Sequence, residues 1–105
     1  MNNWYTEELS TRYSSQKSFY GKAQLIYEES NGILIIKLKS YNTIVAQITK
    51  TLTNIIYEHF GFYSVTTSRH QKAFFLYFGL SESQYKQFQK QYKIIEEIND
   101  ETESN

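Results

Sequence analysis

The pair Asn31-Gly32 restricts the fold of this chain more than any other feature of its sequence. It lies between two β-rich runs, and a type I′ turn, which demands positive φ at both central positions, is met most readily by Asn-Gly. With these two residues as the whole loop, Ser30 stands opposite Ile33. The register then sets Glu29 against Leu34, Tyr27 against Ile36, Leu25 against Leu38 and Ala23 against Ser40. Leu25, Tyr27, Leu34, Ile36 and Leu38 share one face, while Glu28 with Ile35, Ile26 with Lys37 and Gln24 with Lys39 occupy the other. That is the pattern of an antiparallel sheet covered on one side. A slip of one residue would exchange the faces, so turn and pattern support the same register.

Ser40-Tyr41-Asn42 reads as the next turn and Thr43–Ile48 as a third strand, with Ile44, Ala46 and Ile48 alternating against Val45 and Gln47. Ile55–Phe60 reads as a fourth strand, stopped by Gly61. The period then changes. Ser68 with Gln71 fits a capping box ahead of a helix that runs from Arg69 to Gly79, and Ser81 with Gln84 fits a second one, with Leu80 and Tyr85 as a hydrophobic staple. Tyr85, Phe88, Tyr92 and Ile95 form the apolar stripe of that second helix. Residues 1–17 show no clean period and read as an N-terminal arm. The expected fold class is α+β: an antiparallel sheet of three to four strands, followed by two C-terminal helices packed on one face, in a single domain over residues 18–98.

At 105 residues there is room for one core only. The chain has no Cys, which excludes a disulfide framework, thiolate zinc sites and Cys nucleophiles, and its two His do not make a metal site alone. No cofactor and no metal are expected. No apolar run approaches the ~20 residues that span a bilayer, and Met1 leads into Asn-Asn-Trp-Tyr rather than a signal segment, so the expectation is a cytoplasmic protein that does not contact membranes. The net charge of zero conceals a partition. All eleven basic side chains and six acidic ones lie in residues 1–95, while Glu96, Glu97, Asp100, Glu101 and Glu103 crowd the end. Residues 99–105 read as a disordered acidic tail.

Three constellations offer chemistry. In Tyr63-Ser64-Val65-Thr66-Thr67-Ser68-Arg69-His70, hydroxyls, a guanidinium and an imidazole gather where a helix starts, a setting that suits an anionic partner. The plainer reading is helix capping. Arg69, Lys72, Lys86, Lys90 and Lys93 could form a basic stripe for nucleic acid, although lysines on an amphipathic helix are commonly its solvated face. Ten Tyr exceed what one small core can satisfy, which puts Tyr5, Tyr13, Tyr20, Tyr41 and Tyr63 at the surface as contact candidates. A hydrolytic set drawn from Ser64 or Ser68, His59 or His70, and Glu58 lacks a strained nucleophile turn, so no enzyme is expected.

The runs Ser40-Tyr41-Asn42-Thr43-Ile44-Val45-Ala46 and Tyr63-Ser64-Val65-Thr66-Thr67-Ser68-Arg69-His70-Gln71-Lys72-Ala73-Phe74 resemble a family of small proteins encoded by phages, plasmids and other mobile elements of bacteria. Its pattern is S-Y-x-T-x-V-A followed by Y-S-x-T-T-x-R-H, and the likeness covers roughly residues 20–78. The resemblance implies no reaction. By analogy with other small proteins of mobile elements, it implies an inhibitor of host defence, such as an anti-CRISPR protein that binds a Cas nuclease. On that reading Tyr41, Tyr63, Ser64, Thr66, Thr67, Arg69 and His70 contact a larger host protein, and Glu96, Glu97, Asp100 and Glu101 enter its basic channel. The alternative is a nucleic-acid-binding module using the basic stripe. Either is expected as a monomer or a homodimer.

Overall fold

The computed structural model describes residues 3–14 and 18–98. Its elements in chain order are β1 (Asn3–Glu8), β2 (Ala23–Ser30), β3 (Ile33–Ser40), β4 (Thr43–Lys50), β5 (Asn54–His59), α1 (Val65–Tyr77), α2 (Glu82–Tyr85), a 3₁₀ turn (Lys86–Gln89) and β6 (Lys93–Glu97). The strands form one antiparallel sheet in the order β1-β2-β3-β4-β5-β6. The expected sheet of three to four strands followed by two C-terminal helices is thereby overturned. Strands dominate, and α1 is the only long helix among the described residues.

The centre of the sheet follows the hairpin logic. Asn31 and Gly32 adopt φ of 54° and 80°, and β2 pairs with β3 from Ser30↔Ile33 to Ala23↔Ser40. Both edges depart from expectation for one reason: the outer strands of a four-stranded sheet leave rows of amides and carbonyls unpaired. Residues 3–8, within the segment read as an arm, cover the outer side of β2, with Tyr5 opposite Tyr27. Residues 93–97, read as the end of a helix, cover the outer side of β5, with Ile94 opposite Tyr57. The second helix stops at Tyr85 and passes into the 3₁₀ turn that ends at Gln89 because β6 must reach that edge, and pairing there overrides a helical period.

Two further corrections concern register and capping. A bulge between Leu38 and Lys39 sets Leu38 against Ala46 but Lys39 against Ile44, leaving Val45 as the extra residue. Val45 and Ala46 are consequently both buried and the expected alternation breaks. Helix α1 starts earlier than expected, capped by Ser64, whose Oγ accepts from the Thr67 amide at 3.1 Å. Ser68 and Gln71 therefore lie inside the helix. At α2 the expected cap is present: Ser81 and Gln84 bond reciprocally.

One face of the sheet is covered. Leu25, Ile36, Leu38, Ala46, Ile48, Tyr57 and Ile94 meet Ala73, Phe74 and Phe75 of α1 and Phe88 of the 3₁₀ turn in a single buried cluster. The opposite face stays open. Residues in register share a face, so Trp4, Glu28, Ile35, Thr49, Ile56 and Ile95 form one row across all six strands, and none of them is buried. No helix of the described residues is long and apolar enough to cross a membrane.

Candidate partner-binding groove

Where β5 ends, the run His59-Phe60-Gly61-Phe62-Tyr63 turns toward α1. His59 faces the covered side and its ring joins the aromatic core, 6.0 Å from Phe75 and nearly parallel to it, 5.2 Å from Phe88 and 6.1 Å from Tyr85. Its Nδ1 accepts the Gly61 amide at 3.1 Å, so the neutral ring carries its proton on Nε2. Burial pushes the His59 pKa down, which favours that neutral form. Gly61 sits at φ 105°, a region that L side chains rarely adopt.

Gln71 locks this turn from inside α1. Its buried Nε2 donates to the Gly61 carbonyl and to the carbonyl of Val45 in the bulge, each at 3.0 Å, while Oε1 has no hydrogen-bond partner. The same Val45 carbonyl accepts the Phe60 amide at 3.1 Å. With the backbone held by these bonds, the neighbouring rings project outward: Phe62 is 75 % exposed. The opposite wall comes from the chain after α1. Tyr85 and Phe88 pack on His59, and Tyr92, 67 % exposed, accepts the His59 amide through its carbonyl at 2.8 Å.

Between the walls lies a 510 Å³ groove lined by His59, Phe62, Tyr85, Phe88 and Tyr92, with Lys72, Glu82 and Lys86 among its polar lining. A second depression bounded by His59, Phe60, Gly61 and Tyr92 adjoins it. Lys72 Nζ pairs with Glu82 Oε1 at 3.0 Å, whereas Lys86 makes no ion pair among the described residues. Burial raises the Tyr85 phenol pKa and keeps it protonated. The result is a ring-lined trough beside the Lys86 ammonium, which has no ion pair among the described residues, a lining of the kind that suits an apolar group next to a carboxylate.

The structure divides the residues expected to touch a partner. Tyr41, Tyr63, Ser64 and Arg69 are exposed, and Thr66 is half-buried. Thr67 and His70 instead turn into the core: Ser40 Oγ lies 2.9 Å from Thr67 Oγ1 and 2.8 Å from His70 Nδ1, and His70 is only 1 % exposed. Burial lowers the His70 pKa. Tyr41 lines a 140 Å³ pocket above this cluster, its ring 5.5 Å from Lys22 Nζ.

Glu96 is tied on the covered side of β6, accepting from Tyr57 OH at 3.2 Å and from Gln84 Nε2 at 2.8 Å. That contact, after burial, helps push the Tyr57 phenol up to about 12. Glu97 is exposed, and Asp100 and Glu101 lie outside the described residues. The basic stripe loses the helix that was to carry it. Lys86 sits in the 3₁₀ turn, Lys90 at its end, Lys93 on β6 facing the open side, and Lys72 is paired with Glu82. Among the described residues, no group of three or more His, Cys, Asp and Glu could hold a metal ion.

Sequence reasoning passed over Phe62, Tyr85, Phe88 and Tyr92 as site residues. The available signal was the Phe-Gly-Phe-Tyr run at residues 60–63, where rings flank a glycine in a connection and cannot all turn inward. No curated protein and no solved structure matches the chain. A protein-family model does match, over residues 7–91, a span that contains both walls of the groove up to Gln91. The chain belongs to that family, described as "Family of unknown function (DUF8033)".

Proposed function

We propose that this is a small binding protein of a phage or mobile element that acts in the bacterial cytoplasm by occupying a surface of a larger host protein, with an RNA-guided nuclease as the class of partner. The observation that carries the binding role is the pair of exposed rings, Phe62 and Tyr92, on the borders of a groove whose floor is already packed with aromatic side chains. Exposed apolar patches of this kind mark interaction surfaces, and aromatic residues seated in pockets dominate contact energies. Lys86 supplies the polar complement, which favours a partner segment with an apolar anchor next to a carboxylate. The nuclease class rests on the resemblance of residues 40–46 and 63–74 to proteins of mobile elements.

The test is DNA cleavage by RNA-guided nucleases in the presence of the wild type or of Phe62→Ser/Tyr92→Ser, whose folding is checked by circular dichroism. The wild type slows cleavage, and the double variant needs roughly tenfold more protein for the same effect. Equal potency of the two proteins removes the groove from the account. Lack of inhibition by the wild type across nuclease classes removes the nuclease.

A further inference from the structure

The outer edge of β6 is complementary to itself. The His59 amide donates to the Tyr92 carbonyl and the Ile98 amide to the Thr53 carbonyl, with Ile94 opposite Tyr57 between them. In an antiparallel ladder, alternate residues bond to the same neighbour, so Tyr92, Ile94, Glu96 and Ile98 use their backbone groups on β5. Lys93, Ile95 and Glu97 point theirs away from the sheet. These three are also exposed, Ile95 at 58 %.

We propose that β6 pairs with β6 of a second copy of this chain, antiparallel and centred on Ile95, joining two six-stranded sheets into one of twelve strands. In that register Ile95 meets Ile95, and Lys93 of each copy meets Glu97 of the other. The outward backbone groups fall into closely spaced pairs that supply six hydrogen bonds across the axis. Side chains agree with the backbone. Lys93, Ile95 and Glu97 all lie on the open face, so a two-fold axis perpendicular to the sheet brings the two isoleucines together between two ion pairs. The other edge lacks this property. On β1 the Leu9 amide bonds to Ala23, which leaves Trp4, Thr6 and Glu8 pointing outward, and pairing about Thr6 sets Trp4 against Glu8 with no ion pair. A five-residue contact is small for an interface, so association depends on concentration.

Sedimentation velocity over a concentration series tests the proposal through charge. Lys93→Glu sets glutamate against glutamate, and Glu97→Lys sets lysine against lysine, so each variant alone loses self-association by tenfold or more. Mixed together they form a heterodimer, because each glutamate then faces a lysine. The double variant Lys93→Glu/Glu97→Lys recovers the homodimer, which separates the contact from any effect of residue 93 on its neighbour Glu58 within one chain. Ile95→Pro removes a donor that β5 does not use and abolishes pairing in every combination. A wild type that stays monomeric to ~1 mM, a weak limit by any affinity scale, overturns the proposal. So does Lys93→Glu that associates as well as wild type, or a mixture that fails to recover the dimer.

Discussion

The face of the sheet toward α1 and the face turned away from it are built by the same strands one residue out of phase, and they differ in what their side chains touch. On the covered side Leu25, Leu38 and Tyr57 meet Phe74 and Phe75, Ser40 bonds to His70, and Gln71 bonds to backbone through Nε2 while its Oε1 stays unpartnered. On the open face Ile26, Ile35 and Ile56 alternate with Glu28, Lys37, Gln47 and Glu58. Contacts there are part-buried and long, such as Lys37 to Glu28 at 3.3 Å and Gln47 to Glu58 at 3.5 Å. Four glutamates and three lysines lie on its strands, a near balance that gives nucleic-acid phosphates little to follow. Folding energy is concentrated on one side. The groove lies where that ring-packed layer reaches the surface, so its walls borrow their rigidity from the core.

Truncation should separate the faces most strongly. Phe75→Ala removes a fully buried ring and lowers the unfolding free energy by about 3–5 kcal/mol in urea titration, whereas Ile35→Ala costs about 1 kcal/mol. Equal losses would mean that something covers the open face. A smaller effect comes from pH. Burial holds the pKa of His59 and His70 below the ordinary value near 6.5, so the unfolded chain takes up these protons first. Their contribution is complete above about pH 6.5 and is lost as pH falls from there toward the lower folded-state values. The urea midpoint should therefore fall between about pH 7.5 and about pH 5.5, and by less in His59→Phe; an unchanged midpoint contradicts the neutral assignment. The smallest effect belongs to the open face. Lys37→Met breaks the pair with Glu28 and shifts stability by no more than about 0.5 kcal/mol, as thermal unfolding would register.

Legibility in the sequence followed how local the cause was. The register of β2 and β3 was readable because Asn31-Gly32 forces the turn and the alternation admits only one phase. The cap at Ser81 was readable for the same reason, since both partners lie within four residues. The edge strands were not. Asn3–Glu8 and Lys93–Glu97 are strands because a distant backbone needs pairing, and nothing within either segment states that need. Gln71 shows the same limit inside α1. As a sequence feature it resembled half of a capping box, but in the fold it reaches the Val45 bulge and Gly61. Surface tyrosines were recognised by their surplus: Tyr5, Tyr13, Tyr20, Tyr41 and Tyr63 are all exposed. Tyr92 was missed because it falls on the apolar stripe of the expected second helix, and Phe62 because a single ring in a connection belongs to no period.

The contrast between faces is tested most directly by photo-crosslinking in bacterial host cells, with a photoreactive amino acid placed at Phe62, at Tyr92 or at Ile35. The account predicts that positions 62 and 92 trap the same larger host protein and that position 35 does not. A host protein captured from Ile35 alone, or none from either border of the groove, would contradict it.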